Sequence, residues 1–199
     1  MDEVDRIVEE WNRVRPDLDV SPTHTLQRIT RLSLLQGASF GRVFGRYGIS
    51  FGEYLVLAAL RRAGPPYQMN PTRLFNSVIL SSGAMTNRLD RLEDMGFVER
   101  RPDPDDRRGR LVALTDRGRE LVDSAVVDHL ENEERLLTAL SAGEREQLAG
   151  LLRKLLASPA FRELDPAAAG DEAATTNGRL EPSVKRRRRT PAPSDARTS

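Results

Sequence analysis

Apolar residues recur along this chain at helical spacing, and the runs are separated by clear caps and stops. Val4, Ile7, Val8, Trp11 and Val14 form one stripe and predict a helix over Asp2–Val14. Arg15–Val20 reads as a loop. Ser21-Pro22 then opens a helix that runs to about Tyr47, with a cap and a first-turn proline. Its apolar contacts are Leu26, Ile29, Leu35, Phe40, Val43 and Phe44, and Gly48 ends it. Ser50 and Glu53 have the spacing of a capping box, for a helix that stops near Gly64-Pro65-Pro66. Asn70-Pro71 opens a short helix through Ser77. Ser81 or Ser82 caps the next one, and Gly96 stops it. Met85, Leu89 and Leu92 face a core there, while Gly83, Thr86, Asn87, Asp90 and Arg91 fall on the other side.

The period then changes. Phe97–Arg101 and Arg110–Leu114 are short, half-buried strands around an exposed turn rich in proline, aspartate, arginine and glycine. Thr115 caps a long helix to about Leu140, and Ser141 and Glu144 open a last helix ending near Ala157. The predicted fold is mainly α with a small two-stranded β wing. It is a winged helix-turn-helix with additional N- and C-terminal helices that carry broad apolar faces. Leu121, Val122, Val126, Leu130, Leu137 and Leu140 recur on one helix, and Leu148, Leu151, Leu152, Leu155 and Leu156 on the other. Dimerisation and packing on their own domain both account for those faces.

A helix backed by a ribbon fits double-stranded DNA, with the helix in the major groove and the turn reaching a neighbouring groove. Small residues near the helix start let it sink into the groove, and Asn87 and Arg91 can pair with base edges. For that helix alone an ordinary solvated face is the better explanation. The turn adds Asp105-Asp106-Arg107-Arg108, where an aspartate can hold a guanidinium in one pose for a narrow minor groove. A surface ion cluster of little energetic weight is the plainer alternative.

The strings SSGAMTNRLDRLEDMGFVER and DPDDRRGRLVALTDRG resemble the winged helix of the MarR family of bacterial regulators. The resemblance extends from about Asp2 to Ala157, a domain of residues 1–157. It implies a homodimer with two winged helices on a palindromic DNA site, both terminal segments intertwined. By that resemblance the helix Ser81–Met95 is the recognition helix, and Asp106 and Arg108 match the wing aspartate and minor-groove arginine. The DNA-binding candidates are Ser81, Ser82, Gly83, Thr86, Asn87, Arg91, Asp106, Arg107 and Arg108. The motif around Trp11 is similar to the urate-responsive branch, whose ligand residues fall on Trp11, Leu55, Arg88 and Arg100. That branch has an aspartate where this chain has Leu55. Trp11, Arg88 and Arg100 are therefore candidates for a small aromatic or anionic effector. Arg88 borders the apolar stripe and can point inward to a pocket. Dimer-core packing for Trp11 and internal ion pairs for the two arginines remain open.

Composition narrows the chemistry. The absence of cysteine excludes disulfides, thiolate metal sites and thiol-based sensing. No apolar run is long enough to span a bilayer and the N-terminus is acidic, so a cytoplasmic protein without membrane contact is expected. His24 and His129 are the only histidines and have no ligand-type partners, so no metal or cofactor is expected. Ser81 and Ser82 lack a nucleophile elbow, and no phosphate loop appears, so an enzyme is not expected. The formal net charge is +1, while residues from Arg179 onward carry seven basic side chains against two acidic ones. The body is therefore mildly acidic, and the DNA reading rests on local placement rather than bulk charge.

Residues 158–199 read as a disordered basic tail. Its run Lys185–Arg189 can meet DNA phosphates, an anionic membrane surface or nothing in particular. The favoured function is a homodimeric DNA-binding regulator, a repressor relieved by a ligand. The alternative is a winged-helix protein–protein interaction module without specific DNA binding.

Overall fold

In the computed structural model the described residues are 1–78, 85–106 and 108–164. The chain divides into two units, Met1–Leu151 and Leu152–Ser199. In chain order the elements are α1 (Glu3–Val14), α2 (Ser21–Gly45), α3 (Phe51–Arg62), β1 (Gln68–Met69) and α4 (Pro71–Asn76). They continue as α5 (Met85–Asp94), β2 (Val98–Pro102), β3 (Arg110–Leu114), α6 (Asp116–Leu136), α7 (Ala142–Leu156) and α8 (Pro159–Arg162).

The helix starts follow local chemistry. Asp2 accepts from the amides of Val4 and Asp5, and Asp5 accepts from the Asp2 amide, which closes a capping box on α1. Ser50 and Glu53 close the same box on α3. Asn70 caps α4 through the Arg73 amide, with Pro71 at the first position. On α2 the expected cap differs. Ser21 is already helical, and the Asp19 carboxylate accepts its N–H at 2.9 Å.

The ends depart further from expectation. α2 stops at Gly45, and Gly48 takes φ 70 in the turn that follows. α6 stops at Leu136 rather than near Leu140. Arg145 holds the intervening turn, donating to the carbonyls of Leu137 and Leu140 and pairing with Glu134. In the second unit Pro159–Arg162 forms one helical turn, where the sequence pattern predicts disorder from about residue 158. Ser158 and Pro159 supply its start, because a first-turn proline has no amide to lose.

The wing carries one strand more than the sequence predicts. The antiparallel sheet has the order β1-β3-β2. Val98 faces Leu114 and Pro102 faces Arg110 across the long ribbon, while Gln68 and Met69 pair with Ala113 and Val112 on its other side. The core of the first unit gathers Phe44, Leu57, Leu60, Leu74, Leu92, Val112 and Val122, which are essentially inaccessible. Around it α3, α4, α5 and the sheet form the winged unit, with α2 and α6 packed against α3. Phe44 and Tyr54 stack at 4.3 Å, and His129 is buried against Phe40, Phe44 and Tyr54. Leucines remain exposed on the other helices. Leu32, Leu34 and Leu35 on α2, Leu130 and Leu136 on α6, and Leu151 and Leu156 on α7 all face solvent in the single chain. No residue of α7 is buried.

Candidate nucleic-acid interface

The helix α5 presents two faces. Met85, Leu89 and Leu92 are buried in the core, and Thr86, Asn87, Asp90 and Arg91 are exposed. The expected cap and groove residues Ser81, Ser82 and Gly83 lie outside the described residues. The C-terminal stop is as the sequence predicts. Gly96 takes φ 72, its N–H donates to the Glu93 carbonyl and the Phe97 N–H donates to the Leu92 carbonyl.

Arg91 is not simply solvated. Its Nε lies 3.2 Å from Glu53 Oε1, and its Nη2 donates to the Gly48 carbonyl at 3.2 Å. Glu53 is only 3% exposed and spends its other oxygen on the Ser50 amide. One buried carboxylate thus caps α3 and braces α5. The capping box signals the first role, but nothing local in the sequence signals the second.

At the wing tip, Arg107 lies outside the described residues. Asp106 and Arg108 are both exposed, as a groove-reaching turn requires. Their relation differs from the expected carboxylate–guanidinium lock. The Asp106 carboxylate accepts the backbone N–H of Arg108 at 2.9 Å, and the Asp103 carboxylate accepts that of Asp105 at 3.0 Å. These aspartates order the turn backbone and leave the Arg108 guanidinium without a carboxylate partner among the described residues. Gly109 fits because a Cβ there would come within 3.0 Å of both Asp103 and Asp106.

The wing and the end of α5 are tied to α6 through Thr115, Arg117 and Gly118. Thr115 donates to the Gly96 carbonyl and accepts from the Gly118 amide. Arg117 donates to the Met95 carbonyl and lies over the Phe97 ring. Gly118 lies so close to Phe97 that a Cβ there would sit 2.0 Å from the Phe97 carbonyl oxygen.

The effector candidates are not brought together as one pocket. Trp11 is 48% exposed and lines a pocket of about 460 Å³ with Glu10, Arg13 and Val14, all on α1. Arg88 and Arg100 are absent from that lining. Arg28 pairs with Asp2 and Asp5, and Arg31 pairs with Glu3, docking α1 on α2. Arg100 is an internal ion-pair partner of Asp90 and Glu93, and the bond to Asp90 above all raises its already high pKa. Arg88 does turn inward. Its guanidinium covers Gly52 on α3, and its buried Nη1 has no partner among the described residues. Leu55 is partly buried and packs on the core. Among the described residues no acidic or histidine cluster could hold a metal ion, and no helix is long and apolar enough to cross a membrane.

Comparison with known proteins agrees with this geometry. The MarR family model matches residues 49–109, from the start of α3 to the wing tip. The chain is 39% identical over 153 residues to the HTH-type transcriptional regulator PecS of Dickeya dadantii (strain 3937), covering 77% of this chain and 92% of that protein. It is 36% identical over 111 residues to the multiple antibiotic resistance protein MarR of Escherichia coli (strain K12), covering 54% of this chain and 74% of that protein. A mutant E. coli MarR crystallised with operator DNA superposes with a TM-score of 0.59 at 28% identity. That likeness covers 73% of this chain and 97% of that one.

Proposed function

Because this chain belongs to the MarR family of winged-helix transcriptional regulators, we propose that it acts as a homodimeric repressor that binds a palindromic operator and is released by a small ligand. The family is one of regulators, not enzymes. The observation that carries the DNA reading is the joint exposure of Thr86 and Asn87 on α5 and of Arg108 on a wing tip whose backbone Asp106 holds. Support for a dimer comes from the leucines of α2, α6 and α7 that are exposed in the single chain. A similar protein was crystallised with operator DNA, in line with the same use here. In this reading Ser81, Ser82, Gly83 and Arg107 complete the DNA surface.

The effector reading rests on Trp11, the exposed aromatic plate of α1, and on Arg88, whose inward Nη1 has no partner among the described residues. A planar anionic aromatic offers a face for Trp11 and a charge for Arg88, two residues that line no common pocket among the described residues. Leu55 in place of a carboxylate argues for a ligand other than urate. Titration of the full-length protein with planar aromatic carboxylates tests this. Quenching of Trp11 fluorescence together with loss of DNA binding supports it, and linkage requires DNA to weaken the ligand by the same factor. Unchanged fluorescence across that series, with dimerisation intact, returns Trp11 to packing.

A further inference from the structure

The groove between α2 and α6 holds a set of donors that DNA binding leaves unused. Ser39 and Asn132 are buried there, at 2% and 8% exposure. Ser39 Oγ donates to Asn132 Oδ1 at 2.8 Å, and Arg135 Nη2 donates to the same oxygen at 2.8 Å. Both lone pairs of that oxygen are therefore taken. The amide nitrogen Nδ2 of Asn132 has no partner among the described residues. A buried amide left in this state is costly.

Asn132 borders a pocket of about 550 Å³ that opens between the two helices. That size falls in the range of roughly 300–1,000 Å³ common to small-molecule sites. Three arginines, Arg42, Arg46 and Arg135, border it against two carboxylates, Asp128 and Glu131. Asp128 is already engaged, by Arg46 at 3.0 Å and by the Tyr47 hydroxyl at 2.8 Å. Arg135 is hydrogen-bonded to the neutral Asn132, and Arg42 has no carboxylate partner among the described residues. Val43 is the one apolar residue among the described residues of the lining. The pocket therefore offers donors and a surplus of positive charge.

We propose that this groove binds a compact hydrophilic oxyanion, a polycarboxylate or a phosphate ester, clasped by Arg42 and by Arg135, which Asn132 holds in place from the floor. Arginine suits both chemistries because its planar fork matches paired anionic oxygens. The site is separate from Trp11, and its occupancy does not depend on the effector reading given above.

Calorimetric titration of the full-length protein tests it, with citrate in one arm and inorganic phosphate in the other, each matched in ionic strength to a chloride control. The expected result is saturable binding of one anion per protomer in at least one arm. A citrate response identifies a polycarboxylate site, and a phosphate response identifies a phosphate site. Arg42→Gln, at an exposed position, should weaken binding at least tenfold with an unchanged thermal melt. Asn132→Asp, nearly isosteric, should weaken it further by setting a negative charge on the floor. Trp11 fluorescence should not change. Heats no different from chloride in both arms would overturn the proposal. So would binding that both variants leave intact, which would mean an adventitious ion only. Wild-type protein that binds neither anion but loses self-association through Arg42→Gln would show that a second copy of the chain fills the groove instead.

Discussion

Arg91 reaches from the exposed face of α5 to Glu53, a carboxylate buried at the start of α3, and the two meet at 3.2 Å. The pair fixes α5 against α3, the first helix of the winged core. Glu53→Gln leaves a neutral amide where a cap and an ion pair met, and should cost about 1–3 kcal/mol in urea unfolding. Arg91→Ala should cost about 1 kcal/mol or less, since Arg91 is mostly exposed. The double variant should fall short of the sum by roughly 0.5 kcal/mol or more. Strict additivity would mean that the pair carries no coupling.

Gly118 tests the junction between the wing and α6. Its substitution by alanine would drive a methyl into the Phe97 carbonyl, a backbone atom that cannot swing aside. Gly118→Ala should destabilise the protein by about 1–3 kcal/mol, in the range of overpacked cores. Gly143 is the control. It lies in α7 with nothing near the added methyl, so Gly143→Ala should be neutral or stabilising by up to about 1 kcal/mol. Similar melting temperatures for the two variants would contradict the close approach at Phe97.

The wing makes separable predictions. Arg108→Ala should leave the melting temperature unchanged and weaken operator binding about tenfold, equal to about 1.4 kcal/mol. Asp106→Ala leaves the guanidinium in place but frees the backbone N–H of Arg108. It should weaken binding less, chiefly by raising the entropy lost when the turn orders on DNA. A gel-shift titration of both variants decides the order, and equal or inverted losses would show that Asp106 acts otherwise.

Acid should loosen α1. Asp2 is held below the usual carboxylate range, chiefly by the Asp5 amide and with help from Arg28. Asp5 is lowered by the Asp2 amide and then by Arg28. A depressed folded-state pKa means that their contribution is present above the ordinary carboxylate pKa of about 4 and fades as pH falls through the lowered values. Trp11 emission should therefore hold steady from neutral pH down to about 4 and shift below it. Arg28→Gln should move that shift to higher pH. A transition that ignores Arg28→Gln would assign it elsewhere.

Much of this fold was legible because its signals are local. The capping boxes at Ser50–Glu53 and Ser141–Glu144 lie within one helical turn, and the stripe Met85, Leu89, Leu92 names its buried face directly. The strand β1 escaped because two residues after Pro65-Pro66 show no period, and only Val112 and Ala113 from far along the chain make it a strand. The site divides the same way. Exposure of Thr86, Asn87 and Arg108 follows from periodicity and turn composition. The attachment of Arg91 to Glu53, of Arg100 to Asp90, and of Asp106 to a backbone amide rather than a guanidinium depends on placement across elements, which spacing does not encode.

The most direct measurement is footprinting of the purified protein on the DNA flanking its own gene, with Asn87→Ala and Arg108→Ala alongside. The expected footprint is protection of a pseudo-palindrome with half-sites about one helical turn apart. Also expected are a changed base preference for Asn87→Ala, and a weaker footprint with the same preference for Arg108→Ala. Protection without two-fold symmetry, or binding that both variants leave untouched, would contradict the proposed function.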